Sequence, residues 1–353
     1  ASFSADGRFG FIGWSVRTHP AWHSGILAID LADGSIVSRL ALPDVTDGVD
    51  PARRVVAAPK VIGDAGAGTL LVAEPWYEFT PATASQPTYT FDNALFRAGI
   101  ANGKWSTTTP IPAQPGCGAD AFLGGPLSSG GVWIACSTGG TELTVIRRLD
   151  AAGSRIGDVQ VVGTGGVDAE LVGPSPDGRS VYVWDPTTLT ITRVDLASGS
   201  TTVGHGKTGT AAAGAGPLAA LGSWLAPTAA AKSLLRGGLV VSRDGSRVYA
   251  IGVRGAAGGE GLAGSAGVFA FDSTTLAQVA QYPPTADYVS IALSTDGQFL
   301  YAAGLSGVDA SGGASGNMAS ITVFSTADGS VRLVAGELGL GMLTFLSPIL
   351  DGQ

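Results

Sequence analysis

Three histidines are the side chains of this sequence best suited to bind a metal or accept a proton. His19 and His23 are four positions apart, and His205 is far from both along the chain. Two histidines at this spacing can ligate a metal when they share one face of a helix. Pro20 stands between them in a segment of strand character, so we expect a surface loop here and no metal site.

Catalysis by a serine or cysteine needs a base within hydrogen-bond reach of the nucleophile, and the sequence offers few bases. The histidines fall on two distant segments. The carboxylates near predicted strand ends have the pattern of solvated turn residues, and no pair among them stands apart: Asp50, Glu74, Glu78, Asp92, Asp168, Glu170 and Asp287. We therefore predict no catalytic residue, no cofactor site and no metal site in this chain.

Aromatic side chains cluster at Trp76, Tyr77 and Phe79, in a segment expected to be a long loop. Aromatic rings offer rigid contact area, so this cluster is a candidate partner surface. The alternative is a loop that packs its own aromatic residues onto the fold. A second candidate surface is an inserted Ala/Gly-rich segment at about 205–235, which contains Trp224 and Leu225.

The two cysteines, Cys117 and Cys136, flank a predicted hairpin that can set them side by side. A small, even cysteine count fits one structural disulfide and an oxidising compartment. The alternative is two buried free thiols in a cytosolic protein. The sequence starts at Ala1 without a methionine or an apolar signal region, as a processed secreted or periplasmic protein would.

The elements that position these residues are indicated by a recurring Asp-Gly pair. The pair occurs at 6–7, 177–178, 244–245 and 296–297, between apolar runs. Asp-Gly favours a hairpin turn, because glycine adopts positive φ at little cost. A second class of turn follows after one more strand, at 32–34, 101–103, 151–153, 197–199, 273–275 and 327–329. Two hairpins per repeat make a four-stranded antiparallel sheet, and sheets in tandem predict an all-β β-propeller.

Blade-like units can be marked along the chain at about 1–48, 49–115, 116–165, 166–204, 236–285 and 286–338. We read them as a single propeller domain over 1–353, with six visible blades. The tail at 342–353 resembles one more innermost strand, which would pair with the first unit and close the ring. Long loops between second and third strands are expected at 17–25, 75–91, 254–267 and 305–319.

Charge and hydropathy limit the partners. The net charge is −8, and the 20 Lys and Arg residues are scattered, which excludes nucleic acid as the main ligand. Charged residues make up 14% of the chain, and the mean hydropathy is +0.29. Sheets buried on both faces explain this apolar composition, as does contact with a protein partner or a membrane surface. No run reaches the length of strongly apolar residues that a transmembrane span requires.

From about 173 to 343 the sequence resembles the heavy chain of the quinone-cofactor amine dehydrogenases, within the wider YVTN-type propellers. The resemblance rests on the segments 194–199, 268–272, 288–294 and 300–302, and on a Trp-containing insertion between the first two. It implies a periplasmic scaffold with seven blades, whose catalytic quinone belongs to a separate light chain. It also implies a disulfide in the third blade, which Cys117 and Cys136 match in position.

These observations predict a non-catalytic secreted or periplasmic β-propeller. It would bind a protein partner as a scaffold or as an extrinsic accessory subunit of a larger assembly, such as a membrane-bound redox complex. Two alternatives remain open: the heavy chain of an amine dehydrogenase, and a propeller enzyme of the lactonase type, which the relatives of this family include. A convergent cluster of Asp, Glu or His at a central funnel would favour the lactonase.

Overall fold

The computed structural model describes residues 2–338, except 5, 47–52, 67, 81–87, 116, 118–120, 122, 138–142, 163–170, 187, 209–237, 254–264, 295 and 309–313. The chain divides into two compact units. The first comprises Ala1–Val162 with Leu196–Gly199, and the second comprises Gly163–Asp195 with Ser200–Gln353. Within the described ranges, no helix is long and apolar enough to cross a bilayer.

The first unit contains three antiparallel sheets. The first sheet has the order β1 (Ser2–Phe3), β2 (Phe9–Thr18), β3 (Ala21–Asp30), β4 (Ile36–Ala41), and β5 (Val45–Thr46) also pairs with β3. The second has the order β10 (Lys104–Ile111), β9 (Thr88–Ala101), β8 (Thr69–Thr80), and both β6 (Arg53–Val56) and β7 (Lys60–Gly66) pair with β8. The third has the order β11 (Leu123–Pro126), β12 (Val132–Ser137), β13 (Leu143–Leu149), β14 (Arg155–Val162).

The second unit also contains three antiparallel sheets, each following the chain order. The fourth sheet comprises β15 (Val172–Pro174), β16 (Ser180–Asp185), β17 (Thr190–Asp195) and β18 (Thr201–His205). The fifth comprises β19 (Leu239–Val241), β20 (Arg247–Val253), β21 (Ser265–Asp272) and β22 (Gln278–Tyr282). The sixth comprises β23 (Asp287–Leu293), β24 (Phe299–Val308), β25 (Ala314–Ser325) and β26 (Val331–Leu338).

Each sheet is built around a four-stranded antiparallel meander, which is the blade of a β-propeller. The predicted fold class, an all-β propeller of four-stranded blades, is therefore confirmed. The six sheets match the units marked from the sequence to within one residue, since β18 ends at His205 and the fourth unit was marked to about 204. The tail at 342–353, which was expected to close the ring, lies outside the described residues, as does 209–237 of the insertion. The single domain over 1–353 stays a prediction.

The predicted Asp-Gly turns form, and a serine two positions before each aspartate completes them. In the fifth sheet, Ser242 Oγ donates to Asp244 Oδ1 (2.6 Å) and accepts from the N–H of Arg247 (2.9 Å). The N–H of Ser246 donates to the same Asp244 oxygen (3.0 Å), and Gly245 has φ of 70°. The serine bonds hold the pKa of the Asp244 carboxyl down to about 2. The same Ser–Asp bond recurs at Ser4–Asp6, Ser175–Asp177 and Ser294–Asp296.

Apolar side chains pack between neighbouring sheets within each unit. In the first unit, Phe11 and Ile26 pack against Val72 and Phe96 of the second sheet. In the second unit, buried Trp184 packs against Phe269 and Phe271 (ring centroids 6.1 and 5.5 Å away), and its indole N–H donates to the Ile251 carbonyl (2.6 Å). Sheets covered in this way explain much of the apolar composition, because their inner strands are buried on both faces.

Arginines on third strands add polar contacts between elements of one unit. In the first unit, Arg97 of β9 donates to the carbonyls of Asp150 (3.2 Å) and Ala151. In the second unit, Arg193 of β17 donates to the carbonyls of Ser273 (3.3 Å) and Thr274 (2.9 Å). Each guanidinium thus satisfies carbonyls in the turn between the third and fourth strands of the next sheet along the chain.

Three of the predicted long loops are wrong in their described residues, because most of these belong to strands. Residues 17–25 belong mostly to β2 and β3, 75–91 mostly to β8 and β9, and 305–319 mostly to β24 and β25. Pro75, the first residue of one of these expected loops, occupies the point where β8 changes partner. β7 pairs with β8 up to Ala73, and β6 pairs with it from Trp76 onward. A residue without an N–H is tolerated in such a gap.

Candidate functional site

Two hairpins of the first unit are longer than that of the third sheet. β2 and β3 have 10 residues each, and β8 and β9 have 12 and 14, whereas β12 and β13 have 6 and 7. The connection between the first two sheets supplies an extra strand to each long hairpin: β5 pairs with β3, and β6 with β8. We call this region, residues 16–23, 44–46, 53–56 and 76–80, the twin-hairpin surface.

Arg54 joins the two hairpins. Its guanidinium lies over the Trp76 ring, 4.3 Å from the centroid, and its Nη2 is 3.2 Å from Glu78 Oε2. Its carbonyl accepts a hydrogen bond from the Trp22 indole N–H (2.9 Å) on the first hairpin. Stacking, ion pairing and the indole bond therefore act through one residue, which fixes the two hairpins relative to each other.

The aromatic residues predicted as one loop cluster are strand residues, which is a correction. Trp76 and Tyr77 are consecutive in β8, so their side chains point to opposite faces of the sheet. Both are half-buried. The backbone of Phe79 pairs with Arg53 and Tyr89, and its side chain lies outside the described set. Trp224 and Leu225 also lie outside the described residues.

The histidines do not come together as a metal centre. His23 Nδ1 is 2.7 Å from Asp44 Oδ1, His19 stands at the tip between β2 and β3, and His205 Nδ1 is 3.2 Å from Thr190 Oγ1 on β17. Among the described residues, no group of three or more His, Cys, Asp and Glu side chains could hold a metal ion. The contact with Asp44 fixes the orientation of the His23 imidazole.

Glu74 corrects the expectation that every carboxylate named above is a solvated turn residue. It lies in β8 with 1% of its surface exposed and hydrogen-bonds to Ser24 Oγ of β3. Burial raises the pKa of the Glu74 carboxyl, and the Ser24 bond opposes this only in part. The sequence contained a signal of this burial, because residues two apart in a strand lie on the same face and Glu74 therefore shares its face with Val72 and Trp76. Asp50, Asp168 and Glu170 lie outside the described residues.

We expect Glu74→Gln to change the pH dependence of stability. A carboxyl whose folded pKa is raised releases its proton first in the unfolded state, so the native state loses stability as pH rises from the ordinary value of 4.5 towards the folded pKa. Glutamine keeps the shape without this loss, so the variant should gain stability relative to wild type across that range. Urea unfolding at a series of pH values measures this difference. The half-buried Glu78→Gln is the control, and parallel curves for Glu74→Gln and wild type would contradict the expectation.

The cysteines lie where the connection into the third sheet meets its second strand. Cys117 and Cys136 form a disulfide with their Cα atoms 5.4 Å apart, and both are buried in the core between the second and third sheets. Arg147, opposite Asp158 in the sheet, donates to the Pro115 carbonyl (3.0 Å) two residues before Cys117. The disulfide and the arginine together hold the connection against the third sheet.

No protein-family model and no curated protein matches the chain. Among solved structures, a putative 6-phosphogluconolactonase from Bacteroides fragilis is 16% identical, covering 96% of this chain and 84% of its own, with a TM-score of 0.46. The dihydro-heme d1 dehydrogenase NirN is 13% identical, covering 95% and 65%, with a TM-score of 0.47. The β-propeller domain of Swd1 from Myceliophteria thermophila is 9% identical, covering 93% and 88%, with a TM-score of 0.41. Likenesses this low carry no argument about function, and the resemblance to amine dehydrogenase heavy chains stays a prediction.

Proposed function

We propose that this chain is a non-catalytic β-propeller scaffold that binds a protein partner through the twin-hairpin surface. The observation that carries the proposal is the construction of that surface. Each long hairpin gains a third strand, and Arg54, held by Trp76 and Glu78, ties the two hairpins together. Rigid elements that project from a scaffold are well suited to hold binding residues in place.

The exposed end of the first hairpin supports a contact role. Arg17, Thr18, His19 and Pro20 are exposed. Aromatic and arginine side chains are enriched at the energetic centres of protein interfaces, and half-buried Trp22 of the first hairpin and half-buried Trp76 of the second both contact Arg54. The surface therefore combines exposed polar groups at the end of one hairpin with partly exposed aromatic groups on both hairpins.

The setting that fits this proposal is a secreted or periplasmic one. Both cysteines of the chain are consumed in the Cys117–Cys136 disulfide, and structural disulfides persist in oxidising compartments. An extrinsic accessory subunit of a larger assembly, such as a membrane-bound redox complex, is the role we infer for such a scaffold.

Copurification with matched variants tests the proposal. The tagged protein, isolated from the cells that make it, should retain a defined stoichiometric partner. Thr18→Glu and His19→Glu, both at exposed positions, should each release that partner with little change in melting temperature. The control is Val331→Glu, at an exposed apolar residue of β26 in the second unit, and it should retain the partner. Retention of the partner by both hairpin variants would exclude this surface.

Activity of the chain alone would overturn the scaffold assignment. We expect the purified protein to turn over neither lactones nor amines. Lactone hydrolysis would favour the lactonase alternative, and a cysteine-rich light chain as the copurified partner would favour the amine dehydrogenase heavy chain.

A further inference from the structure

A surface groove in the second unit lies outside the proposed twin-hairpin function. It runs between the outermost strands of the fourth and fifth sheets and has a volume of about 790 Å³. Its lining comes from β18 and the segment after it, and from the turn before β22 together with most of β22. The lining residues are Val203, Gly204, His205, Lys207 and residues 275–281. Val203 and Val279 are 52% and 47% exposed, so the groove offers apolar contact area to a ligand.

The two strands beside this groove lack the usual protection of sheet edges. Natural proteins block exposed edges with charged side chains or proline. The outermost strands of the other sheets follow this rule, with Arg39 in β4, Lys104 in β10, Arg155 in β14 and Arg332 in β26. β18 (TTVGH) and β22 (QVAQY) contain no Lys, Arg, Asp, Glu or Pro. The unprotected edges therefore occur together, on either side of one groove.

The outer edge of β18 carries backbone groups that no described strand pairs with. β18 pairs with β17 on one side, and the structure describes no strand on its other side. The N–H of Gly206 donates to the Leu189 carbonyl (2.7 Å), so that pair is hydrogen-bonded. Hydrogen-bonded pairs alternate along an antiparallel ladder. The N–H and C=O groups of Val203 and His205 consequently point away from β17, in the direction from which another strand would pair.

The positive charge in the groove favours an incoming strand that carries a negative charge. Lys207 is the formally charged side chain among the described lining residues, and no lining residue is acidic. The N–H of Lys207 donates to Gln278 Oε1 (2.5 Å), which fixes the backbone of the lysine at one end of the groove. A carboxylate on the incoming strand would meet this ammonium, whereas a basic group would be repelled.

We propose that the groove binds an extended peptide carrying a carboxylate, which adds as a strand to the free edge of β18. Backbone hydrogen bonds to Val203 and His205 supply affinity, and contacts with Val279 and Lys207 supply side-chain preference, as in other cases of strand addition. This site is separate from the twin-hairpin surface, so either assignment can fail without the other.

Fluorescence anisotropy with labelled peptides tests the proposal. The probes are short C-terminally amidated peptides of alternating Thr and Val whose last residue is Glu, and the same amidated peptides with Gln in that position, so only the first series carries a carboxylate. Wild type should bind the Glu series saturably. Val203→Pro removes an outward N–H while sparing the bonds to β17, so it should weaken binding by about tenfold or more. Lys207→Gln should abolish the preference for Glu over Gln. Thr202→Val, at an exposed neighbouring residue whose own N–H points to β17, is the control and should bind like wild type.

Three results would overturn the proposal. The first is a lack of saturable binding by any Glu peptide at millimolar concentration. The second is a folded Val203→Pro variant that binds the peptides as tightly as wild type does. If that variant does not fold, the corresponding result is a Lys207→Gln variant that still prefers Glu peptides over Gln peptides. The third is a wild-type dimer that Val203→Pro converts to a monomer, because the edge would then bind a second copy of the chain.

Peptides methylated at alternate backbone nitrogens should not bind, because methylation removes the N–H groups that would pair with β18.

Discussion

Replacing Asp158 by alanine should destabilise the protein by about 3–5 kcal/mol, because it leaves a buried guanidinium without its counter-charge. Arg147 has 3% of its side chain exposed and donates to both carboxylate oxygens of Asp158, at 3.0 and 2.9 Å. Asp158 is 10% exposed and also pairs with Arg155 (2.8 Å). Denaturant unfolding of wild type and variant at neutral pH measures the loss of stability.

Two further variants test whether the loss of stability in Asp158→Ala comes from leaving a charge buried without its partner. The double variant Arg147→Met/Asp158→Leu removes both charges, so it should be clearly more stable than Asp158→Ala. Arg179→Met breaks an exposed pair, in which the arginine is 81% exposed and 3.9 Å from Asp177, and should change stability by less than about 1 kcal/mol. Equal losses in Asp158→Ala and Arg179→Met would show that the buried pair has no special role.

The strands and turns were predictable because their signals are local. An Asp-Gly pair between apolar runs needs only neighbouring residues to form its hairpin, and the serine two positions earlier completes the same turn. The extended hairpins were missed because Pro75 has the local signature of a break. Its tolerance depends on β6 and β7 meeting β8 on either side of it, which is a pairing between distant segments.

The candidate site was less predictable, because its contacts join distant positions. Trp76 could be recognised as an aromatic residue, but its stacking on Arg54 and the bond from Trp22 to the Arg54 carbonyl depend on two hairpins being adjacent. The free edge of β18 depends on knowing which strand is outermost. Some signals were available nonetheless: Arg97 and Arg193 each stand six positions before a turn glycine, and this repeated spacing could have indicated their shared role.

Removing the disulfide should cost about 3 kcal/mol, since Cys117 and Cys136 close a loop with a sequence separation of 19. Both cysteines lie in the apolar core of the first unit, so valine is a better replacement than alanine, which would add a cavity. The Cys117→Val/Cys136→Val variant should therefore unfold at lower denaturant concentration. Titration of the unfolded, unreduced wild type should detect no free thiol.

Reduction provides the internal control for this prediction. Adding a thiol reductant to wild type should lower its stability to near that of the double valine variant, because both then lack the crosslink in the unfolded chain. The same reductant should leave the variant unchanged, since it contains no other cysteine. Two reactive thiols in unreduced wild type, or a variant as stable as the oxidised protein, would show that the crosslink does not stabilise this fold. The connection that contains Cys117 would then be held by hydrogen bonds such as those from Arg147 to the Pro115 carbonyl and from Gln114 to the Gly153 carbonyl.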